Sequence, residues 1–280
     1  MDNSYQSIQE IQKILFTDLQ EVNNIIIDNI GNEVPLIKDL SKHILASGGK
    51  RIRPMVTLLC SRLCNYSGKN QLFLAACVEF IHTATLLHDD VIDESKIRRG
   101  TATANDIFGN KTSVLVGDFL FSRAFELMVQ YGSKQILEVL SKASSTIAQG
   151  EVLQLTTIND SSTSQELYMK IIENKTASLF SAASEISAIL SEEKDIIQKS
   201  LKTYGQKLGI AFQLIDDALD YAGTSALDKS IGDDFREGKM TLPVIISLEK
   251  SNPEEKTFWK KTIEDLEQSS GDLNKAIELI

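Results

Sequence analysis

Cysteine is scarce in this 280-residue chain, and the three present, Cys60, Cys64 and Cys77, are an odd number with no C-x-x-C pair. That excludes a disulfide framework and a cysteine-rich zinc module, and leaves the three as reduced packing residues. Proline is scarce too, at four residues, and alternating β-branched runs are nearly missing, so there is little to build strands from. No uninterrupted apolar run approaches the roughly 18 residues of a membrane span. The opening MDNSYQSIQE lacks the basic-then-apolar layout of a secretion signal. Positive charge is in deficit, with 29 Lys and Arg against 39 Asp and Glu and a net charge of -10. A nucleic-acid binder would show a basic stripe instead. The absences together predict a soluble, cytoplasmic protein whose charged partners are cations, or anions reached through cations.

What is present is helical periodicity. Ile8, Ile11, Leu15, Leu19, Val22, Ile26 and Ile30 recur at steps of three and four and end at Gly31, a natural C-terminal stop. Similar patterns cover 36–46, 54–64, 72–93, 112–131, 134–157, 165–190 and 193–221, with Gly, Ser and Asn between them. The fold class expected is all-α. Neither a low-complexity linker nor a short-period repeat divides the chain, so one helical domain over 1–280 is expected, and 42% apolar composition is enough for a sizeable core.

Within the 72–93 helix, the stretch LLHDDVIDESKIRRG places Asp89 and Asp93 one turn apart on one face, with Asp90 beside them. Such carboxylates repel each other and, at a helix C-terminus, oppose the macrodipole. A divalent metal removes both penalties, and hard oxygen ligands suit Mg2+, which typically joins one or two carboxylates to a phosphate-bearing substrate. A lone DDxxD string is also what a solvated helix end looks like. The second copy decides, since FQLIDDALDY repeats the spacing at Asp216, Asp217 and Asp220. Two clusters facing each other across a helical bundle would form a polynuclear cation site. An EF-hand is excluded, because neither stretch has its Asp-x-Asp-x-Asp-Gly order. Cations gather nearby in sequence: Lys50, Arg51 and Arg53 in GGKRIRP, Arg98 and Arg99, Lys175 in ENKTA, and Lys229 and Lys239 in DKSIGDDFREGKMTLP. Acid pairs plus basic loops suggest two polyanions, one held through metal and one directly by Lys and Arg, and diphosphates fit. His82 lies two helical turns before Asp89 on roughly the same face, which favours a diphosphate contact, whereas His43 and His88 read as structural.

GGKRIRP, LLHDDVID followed by RRG, NKTA, and FQLIDDALDY with GDDFREGKMTLP occur in the order of the trans-type polyprenyl diphosphate synthases, which the chain resembles from about Ile8 to Leu248. VEFIHTATLLHDDVIDES is most similar to the bacterial octaprenyl branch. The resemblance implies an isoprenoid-synthase helical bundle around a central cavity. It also implies Mg2+, three ions with substrate bound, held by Asp89, Asp93 and Asp216, with Asp90, Asp217 and Asp220 behind them. Arg98, Lys175 and Lys239 match positions that hold the departing diphosphate as an allylic cation forms, Thr176 and Gln213 positions that help hold the allylic group, and Lys229 a further diphosphate lysine. Lys50, Arg53, His82 and Arg99 match the grip on isopentenyl diphosphate. The implied partners are that substrate and an allylic diphosphate, farnesyl diphosphate for an octaprenyl product bound for quinone side chains. A homodimer follows from the family, with no nucleic acid and no membrane anchor beyond transient contact for product release. Ala84 and Thr85, five and four residues before Asp89, are small where short-chain members carry bulky aromatics, so a long product is expected, stopped deeper by Phe121, Phe125 or Met128. Family members usually continue past this chain's end by a helix or two, so missing C-terminal helices are an expectation. A terpene cyclase would normally replace the second acid motif, and a non-catalytic subunit would lose the acid motifs.

Overall fold

Helical periodicity with few breakers produces helix almost wherever the pattern ran. The computed structural model describes residues 3–31, 33–46, 48–98, 100–222 and 231–280. The elements among them are α1 (Asn3–Ile14), α2 (Phe16–Ile30), α3 (Pro35–Ala46), α4 (Ile52–Leu63), α5 (Asn70–Ile92), β1 (Ile97–Arg98), β2 (Thr101–Ala102), α6 (Ala104–Phe108), α7 (Asn110–Tyr131), α8 (Lys134–Leu155), α9 (Gln165–Ile172), α10 (Ser178–Leu190), α11 (Asp195–Tyr221), α12 (Asp233–Arg236), α13 (Leu242–Lys250), α14 (Pro253–Trp259) and α15 (Asp272–Leu279). Among the described residues the chain is all-α apart from the β1–β2 hairpin, an antiparallel pair with Arg98 opposite Thr101 and Gly100 at φ +72 in the turn.

Two predicted helices differ from their patterns. The first is bent at Leu15, where ψ is 8, yet the ladder runs on through Leu15 N–H to Ile11 O (3.0 Å) and Leu19 N–H to Leu15 O (2.8 Å). A bend that keeps its hydrogen bonds leaves the apolar period intact, so the sequence could not show it. The 165–190 helix is interrupted by a π-helical turn over Glu173–Ala177 between α9 and α10. Here α8 comes very close: a Cβ on Gly150 would stand 2.6 Å from the Lys175 nitrogen. A turn widened by one residue is invisible to a pattern search but common where function needs side chains displaced from the regular ladder.

The chain divides into two compact units. The first comprises 1–144 and 179–205. Its centre is α5, in which Leu74, Ala75, Cys77, Val78 and Ile81 are fully buried. Helix α7 lies against it, with Cys77 Sγ directed at Ala124 O (3.5 Å) and Gly117 so near the His88 ring that a side chain there would collide. Residues of α10 join α4 through Ser187 Oγ, which donates to Thr57 O at 2.9 Å. By length and composition α5 could cross a membrane, but 67% of its most apolar window is buried, as in a core helix.

The second unit comprises 145–178 and 206–280. Its core gathers Tyr168, Ile172, Tyr221, Phe235, Val244, Phe258 and Ile263 with the fully buried Trp259. Helix α14 is started by a capping box in which Asn252 and Glu255 satisfy each other's backbone N–H groups. Ser247 Oγ donates to Leu279 O at 2.9 Å and so ties α13 to the end of α15.

Candidate active site

In the first unit, the end of α5 sorts its acids by depth. Asp93 is the C-cap, its N–H bonded to Asp89 O at 2.8 Å, and both side chains are half-buried. Asp90, between them in sequence, is 5% exposed and accepts from Arg98 Nε at 2.7 Å. The β1–β2 hairpin therefore has a local purpose: it brings Arg98 back onto the helix that ends six residues earlier. A buried carboxylate matched by a guanidinium is stable as an ion pair, so the acids left near solvent are Asp89 and Asp93.

The cationic loop before α4 is anchored on the same helix. Arg51 takes the left-handed conformation (φ +51) as N-cap of α4, and its guanidinium donates to the buried carboxylate of Glu79. Arg53 Nη1 lies 3.1 Å from His82 Nε2. A guanidinium has only donors, so His82 accepts there and carries its proton on Nδ1 when neutral. The Arg53 guanidinium also sits 4.6 Å from the Phe180 ring centroid, a cation–π contact. A small cavity of about 40 Å³ is lined by Arg51, Glu79, His82, Asp90 and Arg98 among others. Lys50, next to Arg51 in sequence, is exposed.

The second unit repeats the division by depth. On α11, Asp216 is half-buried, while Asp217 and Asp220 are each 5% exposed. Asp217 accepts from Tyr168 Oη at 2.5 Å and from Gln213 Nε2 at 2.7 Å. The Asp220 carboxylate accepts from the N–H groups of Asp233 (3.3 Å) and Asp234 (3.2 Å) at the start of α12. Burial, and then the charge of Asp217, push the Tyr168 phenol far above its ordinary value, so it stays a donor. Burial and the charges of Asp234 and Asp220 do the same to Tyr221. In the π-helical turn, Thr176 Oγ1 donates to Gln213 Oε1 at 2.7 Å, and Lys175 Nζ donates to Glu151 Oε2 (2.7 Å) and Gln154 Oε1 (2.8 Å). Lys239 Nζ pairs with Glu237 Oε2 at 2.5 Å.

Of the residues the sequence singled out, Arg98 meets Asp90, Arg53 meets His82, Thr176 meets Gln213, and Gln213 meets Asp217. Arg99 and Lys229 lie outside the described residues. His43 and His88 have local structural contacts: His43 Nε2 is 2.8 Å from Ala102 O and His88 Nε2 is 3.2 Å from Val114 O. Ala84 is fully buried, and Thr85 is half-buried with its hydroxyl donating to His82 O (2.8 Å). Met128 is buried, whereas Phe125 is 41% exposed. Sequence reading missed Glu79, Tyr168 and Glu151. Glu79 had a legible signal, as the one charge inside the apolar run LAACVEFIH, because an acid there needs a partner. Tyr168 and Glu151 had none, since both look like ordinary helix residues.

No described group of three or more His, Cys, Asp or Glu forms a ready-made metal cage. The first cluster instead offers two half-buried carboxylates, Asp89 and Asp93, and the second offers one, Asp216. That donor set fits Mg2+, which binds through few carboxylates and completes its shell with water and phosphate, and does not fit zinc.

Residues 34–280 match the Polyprenyl synthetase family model. The chain is 48% identical to the octaprenyl diphosphate synthase of Haemophilus influenzae over 92% of this chain and 79% of that protein. The polyprenyl synthase of Caulobacter crescentus, solved in complex with calcium and isoprenyl diphosphate, superposes with a TM-score of 0.94 at 48% identity, covering 97% of this chain and 83% of that one. A decaprenyl diphosphate synthase from Rhodobacter capsulatus superposes with a TM-score of 0.92 at 47% identity, covering 97% and 84%. A match across nearly the whole chain, with both acid motifs and the cationic loop in place, means that the protein belongs to the polyprenyl synthetase family and is a long-chain trans-prenyltransferase.

Proposed function

We propose that the protein extends an allylic diphosphate with isopentenyl diphosphate to an all-trans octaprenyl diphosphate, using Mg2+ held by Asp89, Asp93 and Asp216. The observation that carries this is the shared division of labour in the two acid motifs. Asp90, Asp217 and Asp220 are buried and tied to protein donors, while Asp89, Asp93 and Asp216 are half-buried. Bound Mg2+ would supply Lewis acidity to the departing diphosphate oxygens. Arg98, Lys175 and Lys239 add fixed positive charge for the same oxygens, which an ionising C–O bond needs more than it needs a nucleophilic side chain. Lys50, Arg53, His82 and Arg99 grip the diphosphate of isopentenyl diphosphate, and Lys229 a further diphosphate oxygen. The released diphosphate takes the last proton.

Product length is the finer part of the proposal. Relatives at 48% and 47% identity are an octaprenyl and a decaprenyl synthase, so identity does not choose between one long length and the next. Octaprenyl is favoured by the similarity of VEFIHTATLLHDDVIDES to that branch, with Ala84 and Thr85 as the small residues that let the tail pass. A farnesyl primer, a homodimer, residence in the cytoplasm, transient membrane contact for product release, supply of quinone side chains and folding of 1–280 as one domain complete the reading. The test is incubation of the purified protein with labelled isopentenyl diphosphate, farnesyl diphosphate and Mg2+, with chromatography of the dephosphorylated products. An octaprenyl product supports the proposal, and termination at geranylgeranyl length overturns it.

A further inference from the structure

We infer that Tyr168 and Asp217 are positioning residues that set the hydrogen-bond polarity of Gln213 and Thr176, so that Thr176 offers only oxygen lone pairs to the allylic group. The inference rests on the reading above for what binds, and adds how the site is oriented. It starts from Asp217, whose carboxylate is 5% exposed and can only accept. Tyr168 must donate to one oxygen, and burial together with the neighbouring carboxylate keeps the phenol protonated. Gln213 must then turn its NH2 toward the other oxygen, 2.7 Å away, which points its carbonyl at Thr176. The Thr176 hydroxyl, 2.7 Å from that carbonyl, has one hydrogen and gives it to Gln213. Each step leaves the next group a single choice, so the buried carboxylate at one end fixes a hydroxyl rotor at the other.

The result suits the reaction. An allylic group losing diphosphate gathers positive charge, which an oxygen lone pair stabilises and an O–H hydrogen opposes. Thr176 lies in the π-helical turn beside Lys175, whose side chain is held separately by Glu151 and Gln154. The turn therefore carries a cation and an oriented oxygen on consecutive residues, each fixed by its own half-buried partners.

The test is a kinetic cycle on the full-length protein with Mg2+ and both substrates. Asp217→Asn lets the Gln213 amide flip and frees the Thr176 hydrogen, and should lower kcat about 10- to 100-fold, while Tyr168→Phe, which removes one donor, should lower it about 3- to 10-fold. Both KM values should stay within about threefold, because the orientation matters most as charge develops. In a Thr176→Val background, Tyr168→Phe should cost less than about twofold more, since the group it orients is gone. Thr176→Ser, which keeps the hydroxyl, should recover most of the turnover lost in Thr176→Val. A purely structural Tyr168 would shift the thermal midpoint and leave kcat per folded enzyme unchanged, and that result overturns the inference. Additive losses in the cycle would overturn it as well. Tyr168→Phe is near isosteric, and if it nevertheless fails to fold, the Asp217→Asn cycle with Thr176→Val decides alone. Loss of turnover in Asp89→Ala alongside an additive cycle would leave the functional reading standing and this inference refuted.

Discussion

Replacing Glu79 by alanine tests whether the cationic loop is held by one buried ion pair. The Glu79 side chain is 7% exposed and that of Arg51 18%, so truncation strands a guanidinium from which water is largely excluded. Breaking a buried pair by removing one partner costs about 3–5 kcal/mol, and the partial exposure of Arg51 places this case near the lower end, about 3 kcal/mol. For a domain of this size that corresponds to a fall of about 6–12 °C in the thermal midpoint. Glu79→Gln keeps an acceptor and should lose less. Arg51→Met with Glu79→Leu removes both charges and should recover most of the midpoint, because the cost lies in the orphaned charge. Function should follow the loop: Arg51 caps α4 between Lys50 and Arg53, so Glu79→Ala should raise the KM for isopentenyl diphosphate above that for the allylic substrate. Scanning calorimetry with steady-state kinetics reads both. A midpoint within 2 °C of wild type, or a double variant no more stable than Glu79→Ala, would refute the reasoning.

Arg53→Ala removes a charge-assisted contact and should raise the KM for isopentenyl diphosphate about 10- to 100-fold with a smaller effect on the allylic partner; the opposite ratio would mean the two diphosphate sites are exchanged. Ala84→Phe should shorten the product while condensation survives, although overpacking a fully buried position costs about 1–3 kcal/mol and circular dichroism must first show a folded variant. A folded, active variant that still makes the wild-type length would show that the tail does not pass Ala84. Burial raises the Cys60 thiol to about 11, and raises Cys77 and Cys64 as well. A raised thiol stays protonated below its shifted value, so all three should resist a thiol reagent at pH 8 in the native protein and react after denaturation; rapid native labelling would contradict their burial.

The helices and acid motifs were legible because both are local. A three-to-four step in apolar residues reports a buried helix face, and carboxylates one turn apart report a shared surface, whatever surrounds them. The bend at Leu15 and the π-helical turn at Glu173–Ala177 were not legible, since each changes geometry without changing that period. The same limit applies to the site. Asp89 and Asp93 could be grouped from their spacing, but the sequence does not reveal that Asp90 faces Arg98 or that Asp217 faces Tyr168, because depth is set by neighbouring helices distant in sequence. Glu79 lies between these cases: its place in an apolar run announced a partner, and only the fold identified it as Arg51.

Turnover of Asp89→Ala and Asp216→Ala at saturating Mg2+ tests the central claim most directly. Both carboxylates are half-buried, so the fold should survive in each variant. If they hold the metal that draws charge off the leaving diphosphate, each variant should lose at least about 100-fold in kcat with an unchanged circular dichroism spectrum. Near-normal turnover in either folded variant would contradict the account.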